Sequence, residues 1–165
     1  GLNEFRKNDI DEFNDNVLIT HKEYKRIDLQ ILLDSKVPKG TWRAGYANTE
    51  KDICLFITND KSHIMQENLK YDNSLHSDEI IQWISQPKTY HSSSVGQMFI
   101  KHREKNMKVH IFARKYAFMN GNKTNPFIYL GQADYYRSFG DKPMTILWKL
   151  RRKLPQELIQ ELYKL

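Results

Sequence analysis

The chain has 165 residues, 39% hydrophobic and 28% charged, enough for one domain with an apolar core. No apolar run approaches the roughly 20 residues that cross a bilayer, and a single cysteine, Cys54, rules out an internal disulfide or a multi-cysteine zinc site. Lysine and arginine number 26 against 20 aspartate and glutamate, a net +6 that favours a polyanionic partner over a membrane core.

Residues 1–17 read as a linker, punctuated by Asp9, Asp11, Asn14, Asp15 and Asn16; residues 18–165 read as a single recognition domain. The spacing of Tyr24, Ile27, Ile31 and Leu32 predicts a helix over 21–36 with those residues as its buried stripe. Pro38-Lys39-Gly40 stops it. Residues 41–46 form an expected short strand, with Trp42 and Tyr46 on one parity and Arg43 on the other, followed by a turn over 48–52. The continuous apolar run 53–58 predicts a central strand. It makes Cys54 a buried structural thiol, in keeping with a reducing, cytoplasmic setting. Strands are expected at 69–71 and 79–85, joined by a polar loop, then a short serine-capped helix over 92–103. Three more strands follow, at 108–114, 126–133 and 144–150. An amphipathic helix over 154–165, with Pro155 in its first turn, ends the chain. Five to seven short strands with a helix near each end and one between them define an α+β domain whose sheet curls into a partly open β-barrel.

The charge is unevenly placed. Residues 101–123 carry Lys101, Arg103, Lys105, Lys108, Arg114, Lys115 and Lys123 against Glu104 alone. A second cluster, Lys149, Arg151, Arg152 and Lys153, lies near the end. Such one-sided runs suit a DNA- or RNA-facing surface. Lys101, Arg103, Arg114, Lys115, Ser93 and Arg26 are the expected phosphate-binding residues. Aromatic, amide and hydroxyl side chains interleave with this charge in 83–131, the combination a flat, polar, negatively tethered ligand requires. Trp83, Tyr90, Phe112 and Tyr129 are candidate stacking platforms; Ser85, Gln86 and Asp72 are candidate partners for a base edge. Each has an equally ordinary structural use: the rings as strand core, Ser85 and Gln86 as caps of the turn before Pro87, Ser93 as a helix cap.

Catalytic motifs are missing. There is no Walker-type phosphate loop, no His-Glu-x-x-His pair and no Gly-x-Ser-x-Gly elbow. The six histidines are scattered, and no metal or cofactor set is expected. Glu23-Tyr24-Lys25, with Asp15 upstream, matches the Glu-x-Lys pattern of some metal-dependent nucleases, but on a predicted helix it lacks the alternating geometry of a strand-borne metal site. A binding module is the expectation, with a small nuclease as the alternative.

Tyr24-Lys25-Arg26, Trp83-Ile84-Ser85-Gln86 with Ser92-Ser93-Ser94 and Gly96, Ile111-Phe112-Ala113-Arg114 and Phe127-Ile128-Tyr129-Leu130-Gly131 occur in that order. The ordered set resembles the C-terminal target-recognition domain of ATP-dependent type IV modified-DNA restriction endonucleases of the SauUSI-like kind. In that family a domain of unknown function follows a phospholipase-D-type nuclease and a helicase-type ATPase. The resemblance spans residues 18–165. It implies an SRA-like, PUA-like barrel flanked by helices that binds double-stranded DNA containing 5-methyl- or 5-hydroxymethylcytosine by base flipping. It also implies that nuclease and ATPase activities belong to upstream domains. A general nucleic-acid or protein docking module for such an upstream motor is a further alternative.

Overall fold

Period-two alternation governs the centre of the molecule. The computed structural model describes residues 18–59 and 74–163. In chain order the elements are β1 (Glu23–Tyr24), α1 (Arg26–Leu32), β2 (Tyr46–Asn48), β3 (Asp52–Thr58), β4 (Ile80–Ile84), α2 (Ser94–Ile100), β5 (Lys108–Arg114), β6 (Phe127–Phe139), β7 (Thr145–Leu150) and α3 (Gln156–Tyr163). The strands form one seven-stranded sheet in the order β2-β3-β5-β6-β7-β4, with β1 paired to β6. Among the described residues only β3 and β5 run parallel; the other pairings are antiparallel.

Alternate residues of these strands feed two cores. Ile53, Leu55, Ile57, Val109, Ile111, Ala113, Ile146, Trp148, Ile81 and Trp83 fill the concave face, joined by Phe99 of α2 and by Leu158, Ile159 and Leu162 of α3. Cys54, Phe56, Phe112, Phe127 and Tyr129 point the other way and are covered by Leu29 and Leu33, with Leu18, Tyr24 and Trp42 around them. Both parities of β3 are buried, which is why it reads as a continuous apolar run. Strand β6 shifts register against β5 between Ile111 and Phe112, and against β7 between Tyr135 and Arg137. Such irregularities bend a strand and increase its twist. The result is an α+β domain of SRA/PUA-like type, an open curled barrel flanked by helices, as the sequence suggests.

Several boundaries differ from the sequence reading. The expected helix over 21–36 is confined to α1, because Glu23 and Tyr24 pair with Ile128 and Phe127 and are drawn into the sheet. Ile27, Ile31 and Leu32 are exposed; Leu29 and Leu33, at i and i+4, form the buried stripe instead. The strand expected over 41–46 begins only at Tyr46 and runs into the predicted turn. Strand β6 continues six residues past the expected end at 133, to Phe139, where β7 supplies a second partner. The strand expected at 69–71 lies outside the described residues.

Helix α2 is set by two residues. The Ser93 hydroxyl accepts from the Gly96 backbone N–H at 3.1 Å, an N-cap bond. Gly96 packs where a Cβ would collide with the Tyr90 carbonyl and lie 3.1 Å from the Met144 sulfur. Both obstacles belong to the segments that close β4 and β7. Gly96→Ala is expected to lower stability by about 1–3 kcal/mol, the usual range for overpacking. A thermal melt against the parent checks this; an unchanged midpoint would mean the Tyr90 backbone yields freely.

A candidate nucleic-acid interface at the seam of the barrel

The two end strands of the sheet, β2 and β4, have no ladder between them. They meet through rings. Tyr46 lies edge-on to Trp83 at 6.2 Å between centroids, and Phe99 packs beneath both at 5.3 and 5.0 Å. Above this seam opens a cleft of about 630 Å³ whose lining includes Thr41, Trp42, Arg43, Tyr46, Asn48 and Gln86. One wall is the loop leading into β2. The buried Gln30 side chain of α1 fixes this loop: its amide N–H donates to the Pro38 carbonyl at 3.1 Å, and its carbonyl accepts from Gly40 N–H at 2.7 Å. Gly40 sits at φ +88°, the left-handed region that favours glycine. Gln86, just past β4, forms the opposite wall, and among the described residues its side-chain amide has no hydrogen-bond partner. The cleft thus combines aromatic surface, two primary amides, a hydroxyl and a guanidinium.

The sequence-predicted base-pocket residues scatter. Gln86 alone lines the cleft. Trp83 is only 5% exposed and forms part of the concave core, so it supports the seam from below rather than presenting a face. Phe112 and Tyr129 are fully buried and stack on each other at 5.0 Å, with Phe56 on the far side of Phe112 at 5.4 Å. These two rings are therefore core of the α1-facing layer, with no face open to a base. Ser85 is spent on structure: its hydroxyl donates to the Gln86 carbonyl at 3.0 Å and accepts from Met144 N–H at 2.8 Å. Tyr90 is partly exposed, with the Lys142 ammonium 5.1 Å from its ring centre. Asp72 lies outside the described residues. Of the cleft residues that sequence reasoning missed, Trp42 and Tyr46 read only as a short strand and Asn48 as a turn; their meeting with Gln86 depends on β2 curling round to β4.

The expected phosphate contacts divide into separate sites. Lys101 is exposed at the end of α2. Arg103 approaches Asp134 at 3.9 Å, and Arg151 binds the same carboxylate through two bonds of 3.2 Å, so that positive patch is partly neutralised. The Lys115 ammonium lies 5.5 Å from the exposed Tyr116 ring. Ser93 is engaged as the cap of α2. Arg26 and Arg114 come together on the opposite, α1-covered face, both against Phe127. Glu23 and Lys25 flank the buried Tyr24 on an extended segment, not on the expected helix. Asp15 lies outside the described residues, and among those described no group of three or more His, Cys, Asp or Glu could hold a metal.

Two buried imidazoles are engaged at both ring nitrogens. His102 Nδ1 donates to the Met107 carbonyl at 3.0 Å while Nε2 accepts from Tyr135 N–H at 3.1 Å, so a second proton would face a donor. His110 bridges β3 and β6: Nε2 donates to Asp52 at 2.7 Å, and Nδ1 shares a 2.7 Å hydrogen bond with the Tyr129 hydroxyl. Burial lowers the pKa of both, the Asp52 carboxylate opposing it at His110 and the Met107 carbonyl at His102.

Residues 18–162 match the family described as Domain of unknown function (DUF3427), and the chain belongs to that family. No curated protein sequence matches it. Among solved structures, the chain is similar to Arabidopsis thaliana SUVH6, crystallised in complex with SAM. The TM-score is 0.50 at 15% identity, covering 86% of this chain and 28% of SUVH6. The likeness is one of fold, and the present chain spans well under a third of that relative.

Two outcomes follow from the burial. Trp83→Ala is expected to cost about 3–5 kcal/mol, a core deletion, and to shift the melt strongly; a variant with parental stability would return Trp83 to the list of open platforms. Below about pH 6.5 an unfolded imidazole takes up a proton that His102 and His110 refuse when folded. Stability therefore falls as pH drops from about 7 towards 5. At most about 1.4 kcal/mol per pH unit per imidazole is involved. His102→Asn should flatten the dependence of melting temperature on pH; an unaltered slope would show that His102 titrates freely.

Proposed function

We propose that this domain binds double-stranded DNA and reads a modified cytosine, 5-methyl or 5-hydroxymethyl, in the cleft at the β2–β4 seam. The single observation that carries the reading is the unengaged Gln86 amide sharing a cleft with the partly exposed Tyr46 ring, at the open edge of an SRA-like barrel. The fold likeness and the ordered motifs, which resemble those of type IV modified-DNA restriction enzymes, support it. On this reading the domain is the non-catalytic target-recognition module of a larger cytoplasmic polypeptide. Upstream helicase and nuclease domains would act once it is bound, and the module itself needs no cofactor.

The energetics are consistent. Taking a base out of the stack costs a few kcal/mol, and stacking on a ring returns about 1–3 kcal/mol. Cytosine presents a donor at N4 and acceptors at N3 and O2; a primary amide such as Gln86 offers both complements. The added methyl is worth only about 0.8 kcal/mol on burial and about 1–3 kcal/mol for a fitted apolar site. Preference over unmodified cytosine is then about tenfold to a few hundredfold, with raw affinity supplied by phosphate contacts such as Lys101 and Lys115.

A second reading has its own observation. Ile84, Thr145 and Phe139 align across β4, β7 and β6, and Ile84 and Phe139 are exposed, an apolar row suited to docking a neighbouring protein domain. Titration of otherwise identical duplexes with and without one modified cytosine separates the two. The reader predicts tighter binding to the modified duplex, and predicts that Gln86→Ala erases most of that preference, about tenfold, without lowering the melting temperature. Equal affinity for both duplexes would favour docking. Magnesium-dependent cleavage by this chain, lost on Glu23→Ala, would instead favour a nuclease.

A further inference from the structure

The second basic site lies on the α1-covered layer and adjoins the cleft through Ala44. Arg114 ends β5 on the face covered by α1, and Arg26 is the first residue of α1. Their guanidinium carbons stand 4.1 and 5.1 Å from the centre of the Phe127 ring, and Arg26 also lies 4.8 Å from that of Phe56. Arg114 is aimed by neutral oxygens only: Nε donates to the Thr58 hydroxyl and Nη1 to the Asn125 carbonyl, both at 2.9 Å. Arg26 Nη2 donates to the Ala44 carbonyl at 3.3 Å. Neither arginine pairs with a carboxylate among the described residues. The Arg26 Nε is buried without an acceptor, and Arg114 Nη2 has no described partner.

Two half-buried like charges without a counter-ion are costly to hold together. Burial, then the Arg26 charge, push the Arg114 guanidinium down to about 10; burial lowers Arg26 as well. Packing alone would be served by apolar side chains of similar volume. Planar forks with Nη–H donors left over fit a tetrahedral oxyanion, which accepts bidentate bonds and, as a backbone phosphodiester, offsets one of the two charges. The adjoining groove carries Lys25 and Lys115 against Glu23 and Glu161, so Arg114, which also lines it, supplies the excess positive charge. The other basic cluster differs in this respect, because Asp134 already occupies Arg103 and Arg151.

We propose that Arg26 and Arg114, braced on Phe127, form one site for a single phosphate group of a nucleic-acid strand. The proposal rests on the DNA-binding reading for the source of the phosphate, but not for the existence of the site. Arg26 also ties the site to the cleft, since Ala44 belongs to the cleft wall.

The test has two arms. In the first, inorganic phosphate is titrated at constant ionic strength while the arginine Nε–H resonances are followed. Saturable shifts of Arg26 and Arg114, absent with chloride and abolished by Arg114→Gln, are expected; no saturable shift at either overturns the site. In the second, duplex affinity is measured against salt. Because both side chains hold one phosphate, Arg114→Gln and the Arg26→Gln/Arg114→Gln pair should each flatten the slope of log affinity on log salt by about 0.9. A pair losing twice that amount means two separate contacts, and a folded pair with the parental slope means none; either overturns the proposal while leaving the reader intact. Phosphate binding by a chain that ignores DNA would sink the reader and leave the site, with a free phosphate compound as its source. Should the glutamine variants not fold, Arg114→Lys keeps the charge, loses the fork, and must weaken phosphate binding at least several-fold; parental binding by it overturns the site.

Discussion

The ends of the sheet are joined by rings instead of backbone hydrogen bonds, and the rest of the architecture depends on that junction. Tyr46, Trp83 and Phe99 pack edge-to-face at 5.0 to 6.2 Å, a geometry that brings cohesion without fixing register. A closed ladder would have buried the polar edges of β2 and β4 and left no opening. With rings at the junction, the barrel stays cohesive on its concave side while the loop before β2 and the turn after β4 stand apart above it. Helix α2 serves this arrangement, delivering Phe99 to the junction with a glycine that lets it approach the Tyr90 backbone.

The polar groups of the α1-facing layer show how a mostly apolar surface accommodates charge. From one end to the other run Asp52 with His110 and the Tyr129 hydroxyl, then the rings of Phe112, Phe56 and Phe127, then Arg114 and Arg26. At the first end every hydrogen-bonding need is met inside the fold, so the network links β3, β5 and β6 and holds them in place. At the second end cations face rings and neutral oxygens with donors left over. The same layer is closed chemically at one end and open at the other.

Strands β3 to β7 and the cap of α2 are legible in the sequence because they follow from the apolar patterning of those segments and from local chemistry at Ser93. Helix α1 was misjudged, since the apolar residues at 24, 27 and 31 keep helical spacing, while pairing of Glu23 and Tyr24 with β6 is a long-range event that local pattern does not encode. The site was legible in type more than in place. The sequence singles out aromatics, amides and arginines, yet Trp83, Phe112 and Tyr129 are packing, because the ring that stacks and the ring that fills a core have the same sequence signature. Trp42 and Tyr46 stood outside the richest stretch and gained their meaning only from the meeting of strands separated by some thirty residues. Arg26 and Arg114 were each chosen for charge alone; their common neighbour Phe127 is what the chain order could not reveal.

Helix α1 is short and carries little core, yet Gln30 anchors the loop that walls the cleft, and Arg26 at its start reaches both Ala44 and the Phe127 ring. It behaves as a small lever with a grip at each end. A displacement of the helix would be felt at the cleft wall and at the arginine pair together. Selection therefore cannot easily retune one grip in isolation: a change of loop that suits a new ligand must still seat the helix, and variation between relatives should arrive in linked sets along this one element.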